Sequence, residues 1–372
     1  MRILILNYEF PPIGGGGGVA TKIIGEMLVE HGVDIDLLTS SFQNTKLSKS
    51  TLNIYQVPAF GRKSLQTSNS ISMFSYILFG LIKYFMVLRK NEYDCIYSHF
   101  AIPSGVLGTI ISKVTKRRHI INIYGGDIYD PSKKSSPHRN KFFNIVVTNI
   151  LNNCNYIISD SKDLLARLRS YYRVSTKQIA FPIPYASKNR IQTANKKLVK
   201  YKLITVSRLV SRKRVEIQIK LLKQLGKEYS LTIIGNGPEK DNLFGLAQKL
   251  NIIENVDFVG HVSDKRKYAL LNSSDMFLLT SSHEGFGIVI QEAMEHGLAL
   301  AVTQNVGILD FLKINENYIQ LTDNNLDSNV AQIKKFFRSN ENIQKMSKQN
   351  FKDIQLFSPD QLINKYMKVL HE

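Results

Sequence analysis

Glu284 and Glu292 stand on either side of the run G-F-G-I-V-I-Q, seven residues in all. An ionised carboxylate only accepts hydrogen bonds, so each suits the hydroxyls of a sugar or a ribose. Between them Gly285 and Gly287 free the backbone to turn. Phe286 lies inside that turn, and Ile288 and Val289 begin a helical pattern. A helix that starts there points unpaired amides and its positive dipole end outward, and phosphate suits that position. A carboxylate at each end of such a turn could hold a phosphorylated sugar nucleotide from both sides. The plainer reading is a surface strand–helix connection in which Glu is favoured by the dipole alone.

The elements that would position these groups are legible. Met276–Thr280 is an apolar run of strand length before the turn, and Gly297 stops the helix after it. A second arrangement of this kind opens the chain. Met1–Asn7 reads as a strand, Pro11 and Pro12 follow, and Gly14 to Gly18 are five consecutive glycines before a helical stretch, Val19–His31. Strand, glycine loop and helix begin a parallel α/β sheet, which binds ligands at the carboxyl ends of its strands. Gly15, Gly16 and Gly17 would let a ligand or another loop approach the backbone closely. The G-x-G-x-x-G spacing fails, because Val19 takes the third position. Val33–Thr39 ends in Thr39-Ser40-Ser41 with no acid for a ribose, so a nicotinamide dehydrogenase is not expected. Further strands are expected at Tyr93–Ser98, Ile120–Tyr124, Asn155–Ser161, Leu203–Ser207, Leu231–Ile234, Val256–Val262 and Leu298–Thr303. From Leu326 onward the pattern is helical, with Pro359 kinking or restarting the last helix.

A chain of 372 residues suits two domains. Cys95 and Cys154 have no CxxC or Cys/His spacing, so buried thiols in a reducing compartment are expected, rather than a disulfide or a metal site. Met1 runs straight into a strand, which leads us to expect no cleaved leader and a cytoplasmic setting. The net charge is +19 and is uneven. Residues 1–195 carry 24 Lys and Arg against 11 Asp and Glu, a net of +13, and residues 196–372 carry 25 against 19, a net of +6. A basic first half suits an anionic partner such as a membrane surface or a polyanionic acceptor. No nucleic-acid-binding motif accompanies it. Ile71–Leu88 is the most apolar stretch and approaches a membrane span in length. Lys83 and interspersed serines and glycine argue for a buried or half-exposed helix. The basic residues that frame it (Arg62, Lys63, Arg89, Lys90) would also let it rest on an anionic bilayer.

Glu284 and Glu292 around G-F-G and E-A-M resemble the donor motif of retaining glycosyltransferases, in particular glycosyltransferase family 4. The resemblance extends over most of the chain: P-P-x-x-G-G at the first loop, G-x-G-P at Gly235–Pro238, and Arg208, four residues, then Lys213 after the first strand of the second half. It implies a GT-B fold, two doubly wound Rossmann-like α/β domains facing across a cleft. The expected bounds are residues 1–190 for the acceptor side, 191–357 for the donor side and 358–372 for a helix returning to the first domain, with Ala186–Lys202 as linker. It implies a retaining transferase that moves a sugar from a UDP- or GDP-sugar to a hydroxyl of a glycan or lipid-linked acceptor, in surface polysaccharide or lipopolysaccharide assembly. Neither a metal nor another cofactor is expected, and no D-x-D acid pair ends a strand. Arg208 and Lys213 would clamp the pyrophosphate, because fixed cations offset charge on a leaving diphosphate. Glu284 would orient sugar hydroxyls, Glu292 would hold the ribose, and Gly260, His261 and Val262 would read the base through main-chain groups. On the acceptor side the resemblance points to His99, Tyr124 and Asp127. Tyr124 stands where many members have His, and Asn305–Asp310 departs from the usual G-G-x-x-E. These departures keep two alternatives open, a catalytically silent nucleotide-sugar-binding partner subunit and a nucleotide-sugar epimerase of the same fold.

Overall fold

The short apolar runs read as strands from the sequence form parallel strands, whereas the longer run 71–88 forms a helix. The computed structural model describes residues 1–65, 68–130, 136–185 and 201–372. The chain divides into two units, Met1–Ala186 with Phe357–Glu372, and Ser187–Leu356. Most of the expected linker lies outside the described residues. Tyr201 and Lys202, assigned to it from sequence, already belong to a strand.

The first unit contains β1 (Arg2–Leu6), β2 (Asp34–Ser41), β3 (Asn53–Pro58), β4 (Cys95–His99), β5 (Arg118–Ile123), β6 (Tyr156–Ser159) and β7 (Lys177–Ala180). They lie in the order β3-β2-β1-β4-β5-β6-β7, all parallel. The helices α1 (Gly16–Glu30), α2 (Ser70–Met86), α3 (Val106–Thr115), α4 (Lys141–Asn152) and α5 (Lys162–Tyr171) connect them. A parallel sheet covered on both faces needs strands that are apolar throughout. β1 shows the reason: Ile3 and Ile5 enter one core cluster, Leu4 and Leu6 the other.

The second unit contains β8 (Tyr201–Val206), β9 (Tyr229–Ile234), β10 (Val256–Gly260), β11 (Met276–Leu279), β12 (Ala299–Thr303) and β13 (Tyr318–Leu321). Their order is β10-β9-β8-β11-β12-β13, again parallel. Its helices are α6 (Val215–Leu225), α7 (Lys240–Lys249), α8 (Asp264–Asn272), α9 (Ile288–Glu295), α10 (Leu326–Phe337) and α11 (Asn340–Asp353). In each sheet the chain order reverses once, between β1 and β4 and between β8 and β11. Loops that leave the carboxyl ends of those two strands diverge and open a crevice, the usual ligand position of such sheets.

The last helix, α12 (Pro359–His371), belongs to the first unit. Pro359 starts it, where a missing amide costs nothing. Leu362, Tyr366 and Val369 join the core beside Ile3 and Ile5. Arg118 donates to the carbonyls of Val369 and Leu370 at 3.0 and 2.8 Å, which caps the helix end. β3, β7 and β13 are strands that the sequence pattern did not single out. β3 sits at the sheet edge, half-exposed, and lacks the apolar continuity of the inner strands.

Two histidines are sealed into the first unit. His99 and His119 have no exposed surface, and burial lowers both from 6.5 to about 3. Both are therefore neutral in the fold and take up a proton on unfolding below about pH 6.5. A depressed folded-state value means their contribution is complete above 6.5 and is lost as pH falls toward 3. Each proton adds about 1.4 kcal/mol per pH unit to that loss. Urea unfolding of the whole chain between about pH 6 and 5 should show stability falling by about 2.7 kcal/mol per unit from this pair. His119→Gln should halve the slope, and a flat profile would show that the imidazoles titrate in place.

Candidate functional site

The loops after β8 and β11, the neighbours at the second sheet's reversal, are laced together. Ser282 donates its amide to the Arg212 carbonyl at 2.9 Å, and the Thr280 hydroxyl donates to the Arg214 carbonyl at 2.9 Å. In return Arg212 donates to the His283 carbonyl at 3.0 Å, and Arg214 to the Thr280 carbonyl at 2.9 Å. These bonds bring Lys213 and Glu284 together as an ion pair, with 9% and 18% of the two side chains exposed. Burial pushes the Glu284 carboxyl up, but Lys213 and then Arg212, 4.0 Å away, outweigh it and hold it below its ordinary value. Glu284 is therefore ionised throughout the neutral range.

The basic loop thus contains cations of different status. Arg214 pairs with Asp323 and adopts a left-handed backbone, so it ties the loop down. Lys213 is neutralised by Glu284. Arg208 is exposed and has no protein partner among the described residues. Its loop rests on the G-N-G-P turn. A side chain at Gly235 would lie 1.9 Å from the Ser207 carbonyl oxygen, and one at Gly237 would lie 2.1 Å from that of Leu209. The sequence marked this turn as a motif; its work is to support the backbone that carries Arg208.

On the other side of the crevice, Gly287 has a φ of +95° and precedes α9, which has no side-chain cap. Ile290 donates its amide to the Gly287 carbonyl at 2.8 Å, and the amides of Ile288 and Val289 are the ones at the start of the helix suited to an anion. The segment 305–308 holds the turn by backbone pairing: Glu284 donates to Asn305 at 2.9 Å, and Ile308 to Phe286 at 2.9 Å. That region departs from the usual family residues, yet main-chain pairing tolerates the change. Phe286 is 3% exposed and packs on Phe311, so its ring is core and is not a donor contact. Gly260 gives its carbonyl to the Gly235 amide at 2.8 Å, which leaves the main chain of exposed His261 and half-exposed Val262 for a base.

Glu292 lies one turn into α9. Its Oε1 accepts from Lys267 at 2.7 Å, whereas Oε2 is buried with no partner among the described residues. Burial pushes the Lys267 ammonium down, but Glu292 and Asp264, the latter 3.1 Å away, together outweigh it and hold it above its ordinary value. One carboxylate oxygen is fixed by Lys267 and the other is buried in the same wall of the crevice. Lys267 escaped the sequence reading because it sits 25 residues away on α8, in a run of charged residues with no local mark.

In the first unit, Gly14 has a φ of +93°, and a side chain at Gly17 would meet the Phe100 ring at 2.1 Å. Gly15 and Gly16 meet nothing within 4 Å and are exposed. The protein itself needs Gly14 and Gly17; Gly15 and Gly16 are the two open to a ligand. His99, expected as an acceptor contact, is wholly buried. Its Nδ1 lies 2.6 Å from the Tyr124 hydroxyl and 2.8 Å from that of Thr21, which donates to the Gly17 carbonyl at 2.9 Å. It supports the glycine loop and Tyr124 from beneath, because an imidazole with no surface cannot touch a substrate. Asp127, also expected there, accepts from the amides of Ala101 and Tyr124 at 2.8 and 3.1 Å, so its carboxylate clamps the loop.

Two parallel sheets with anion-receptive helix starts and paired carboxylates define a glycosyltransferase of the GT-B type. Residues 14–181 match the family model described as Glycosyltransferase Family 4, and residues 187–353 the one described as Glycosyl transferases group 1. The chain belongs to glycosyltransferase family 4. It is 25% identical over 333 residues to the N-acetyl-alpha-D-glucosaminyl L-malate synthase of Bacillus anthracis, with 84% of this chain and 82% of that one covered. Among solved structures, sucrose-phosphate synthase from Thermosynechococcus elongatus superposes with a TM-score of 0.85 at 17% identity, covering 100% of this chain and 99% of that one. Anabaena HepE in complex with UDP-glucose gives 0.77 at 18%, covering 100% and 99%.

Two outcomes follow. Gly15→Ala and Gly16→Ala should leave the melting temperature unchanged while lowering transferase kcat/KM, whereas Gly237→Ala should destabilise by about 2 kcal/mol or more through its backbone clash. Equal melting losses for all three would show that the open glycines serve the fold. Lys267→Met should cost about 2 kcal/mol by leaving Glu292 unpaired, less than for a fully buried pair because both retain some solvent. Adding Glu292→Gln should recover most of it in urea unfolding.

Proposed function

We propose that the protein is a retaining transferase that moves a sugar from a nucleoside diphosphate sugar to a hydroxyl of a glycan or lipid-linked acceptor. The observation that carries this reading is the Lys213–Glu284 pair between the two crossover loops, with unpartnered Arg208 on the same loop. Arg208 and the amides at the start of α9 receive the diphosphate. Its negative charge competes with Glu284 for Lys213, so donor entry gives Lys213 a phosphate and turns Glu284 to the sugar hydroxyls. Glu292 takes the ribose. The acceptor oxygen bonds to the anomeric carbon on the face that the diphosphate leaves. As the carbon–phosphate oxygen bond breaks, the departing oxygen receives the hydroxyl proton. Charge builds on that oxygen, and preset cations stabilise it without reorganisation. Neither a base nor a metal takes part in this scheme. The complex of HepE with UDP-glucose supports a UDP-sugar as the donor to try first, with a GDP-sugar beside it. The strongly basic first half supports an acceptor carried on an anionic surface, such as a lipid-linked precursor of a surface polysaccharide or lipopolysaccharide.

Arg208→Ala should lower kcat with the true donor by about a hundredfold or more, near 3 kcal/mol. Glu284→Gln should do the same. Chelation with EDTA should leave turnover unchanged, and product NMR should show the donor's anomeric configuration. Wild-type turnover in Arg208→Ala would end the assignment. Donor binding with no hydrolysis or transfer would instead favour the silent partner subunit.

A further inference from the structure

Helix α2 packs one face on the core and carries a second apolar face outward. Its inward face carries Ser72, Ser75, Tyr76, Gly80 and Tyr84, all buried. Gly80 is required there, since a side chain would lie 2.6 Å from Leu107. Tyr76 donates to the Leu38 carbonyl at 3.0 Å, and the Tyr8 hydroxyl to that of Ser72 at 2.7 Å. The outward face carries Ile71, Phe74, Leu78, Ile82 and Phe85, all exposed, with Met86 at the end. Ile71 and Phe74 are each 67% exposed and Met86 71%. Their spacing of three and four residues makes one continuous stripe. Phe60, itself exposed, extends it by packing edge-on to Phe79 at 5.5 Å. A surface helix ordinarily turns its apolar stripe to the core.

The charge around this stripe selects its occupant. Between Leu37 and Gly126 the sequence carries eleven Lys and Arg and only two acids, Glu92 and Asp94. Exposed Lys63 adjoins the start of the helix, where Asn69 donates to the Gly61 carbonyl at 2.5 Å. Exposed Arg89 and Lys90 follow its end. Arg117, exposed after α3, is close enough that it and Arg89 both pull the Tyr84 hydroxyl down against the larger upward push of burial. A second copy of the chain would bring like charges face to face. No helix among the described residues is long and apolar enough to cross a membrane. We propose that the outward stripe of α2 and its flanking cations seat the first unit in the interfacial layer of an anionic lipid bilayer. The aromatic and aliphatic side chains enter the headgroup–acyl boundary, and the cations meet lipid phosphates. This docking is independent of which sugar is transferred.

The test is flotation of the full-length protein with vesicles of phosphatidylcholine alone and with phosphatidylglycerol added. Each Lys or Arg near an anionic surface is worth about fivefold in partitioning, so the anionic vesicles should bind at least about tenfold better. Phe74→Gln with Leu78→Gln should reduce that binding about tenfold with little change in melting temperature, since both side chains are exposed and Gln keeps the helix propensity. Arg89→Glu with Lys90→Glu should remove the preference for anionic lipid. Equal binding to both vesicles, or undiminished binding by both double variants, would overturn the proposal. So would a concentration-dependent dimer that the Phe74/Leu78 variant abolishes, because the stripe would then belong to a second copy.

Discussion

In the proposed function Glu284 meets sugar hydroxyls inside a crevice, and a carboxylate cannot stand there alone. Desolvation would protonate it, and a neutral acid would lose the acceptor strength that the site needs. Lys213 resolves this for Glu284, and removing one partner from such a largely buried pair costs ~2 kcal/mol, less than for a fully buried one because both retain some solvent. Most of the second unit's local architecture serves that pair. The sheet reverses between β8 and β11 so that the two loops are neighbours. Thr280, Ser282, Arg212 and Arg214 lace the loops together through main-chain carbonyls. Two tightly packed glycines then support the outer loop that carries Arg208. The result is graded: one cation bound to the acid, one bound to Asp323, and one left to solvent.

The first unit solves a different problem, how to present a loop without side chains. Gly14 and Gly17 are glycine because the fold admits nothing larger, and Gly15 and Gly16 are exposed and unobstructed. Beneath them a chain of buried polar groups runs from Asn7 through Thr21 and His99 to Tyr124. Hydrogen bonds made at low dielectric hold such a chain of groups in one arrangement. Tyr124 in the place of the more usual histidine is consistent with that network, since its hydroxyl reaches His99.

The apolar segment 71–88 illustrates where a one-dimensional reading stops. Its composition is compatible with core, membrane surface or both, because both helical faces are apolar or small. The decision lies in how closely α2 approaches its neighbours. Tyr76 and Tyr84 fill the inward face, Gly80 lets α2 close on Leu107 between them, and Ile71, Phe74, Leu78, Ile82 and Phe85 are left outward.

The sequence by itself determined the alternation of strands and helices, both glycine loops and the residue types of the donor site, because these depend on local periodicity and on spacing within one loop. Tertiary structure alone decided the rest. Which cation meets Glu284, that Lys267 holds Glu292, that Phe286 is core, and that His99 and Asp127 are sealed from solvent all depend on contacts between segments tens of residues apart. Local pattern carries no record of such distances, since strand order and the closeness of packing appear only when the sheet has formed.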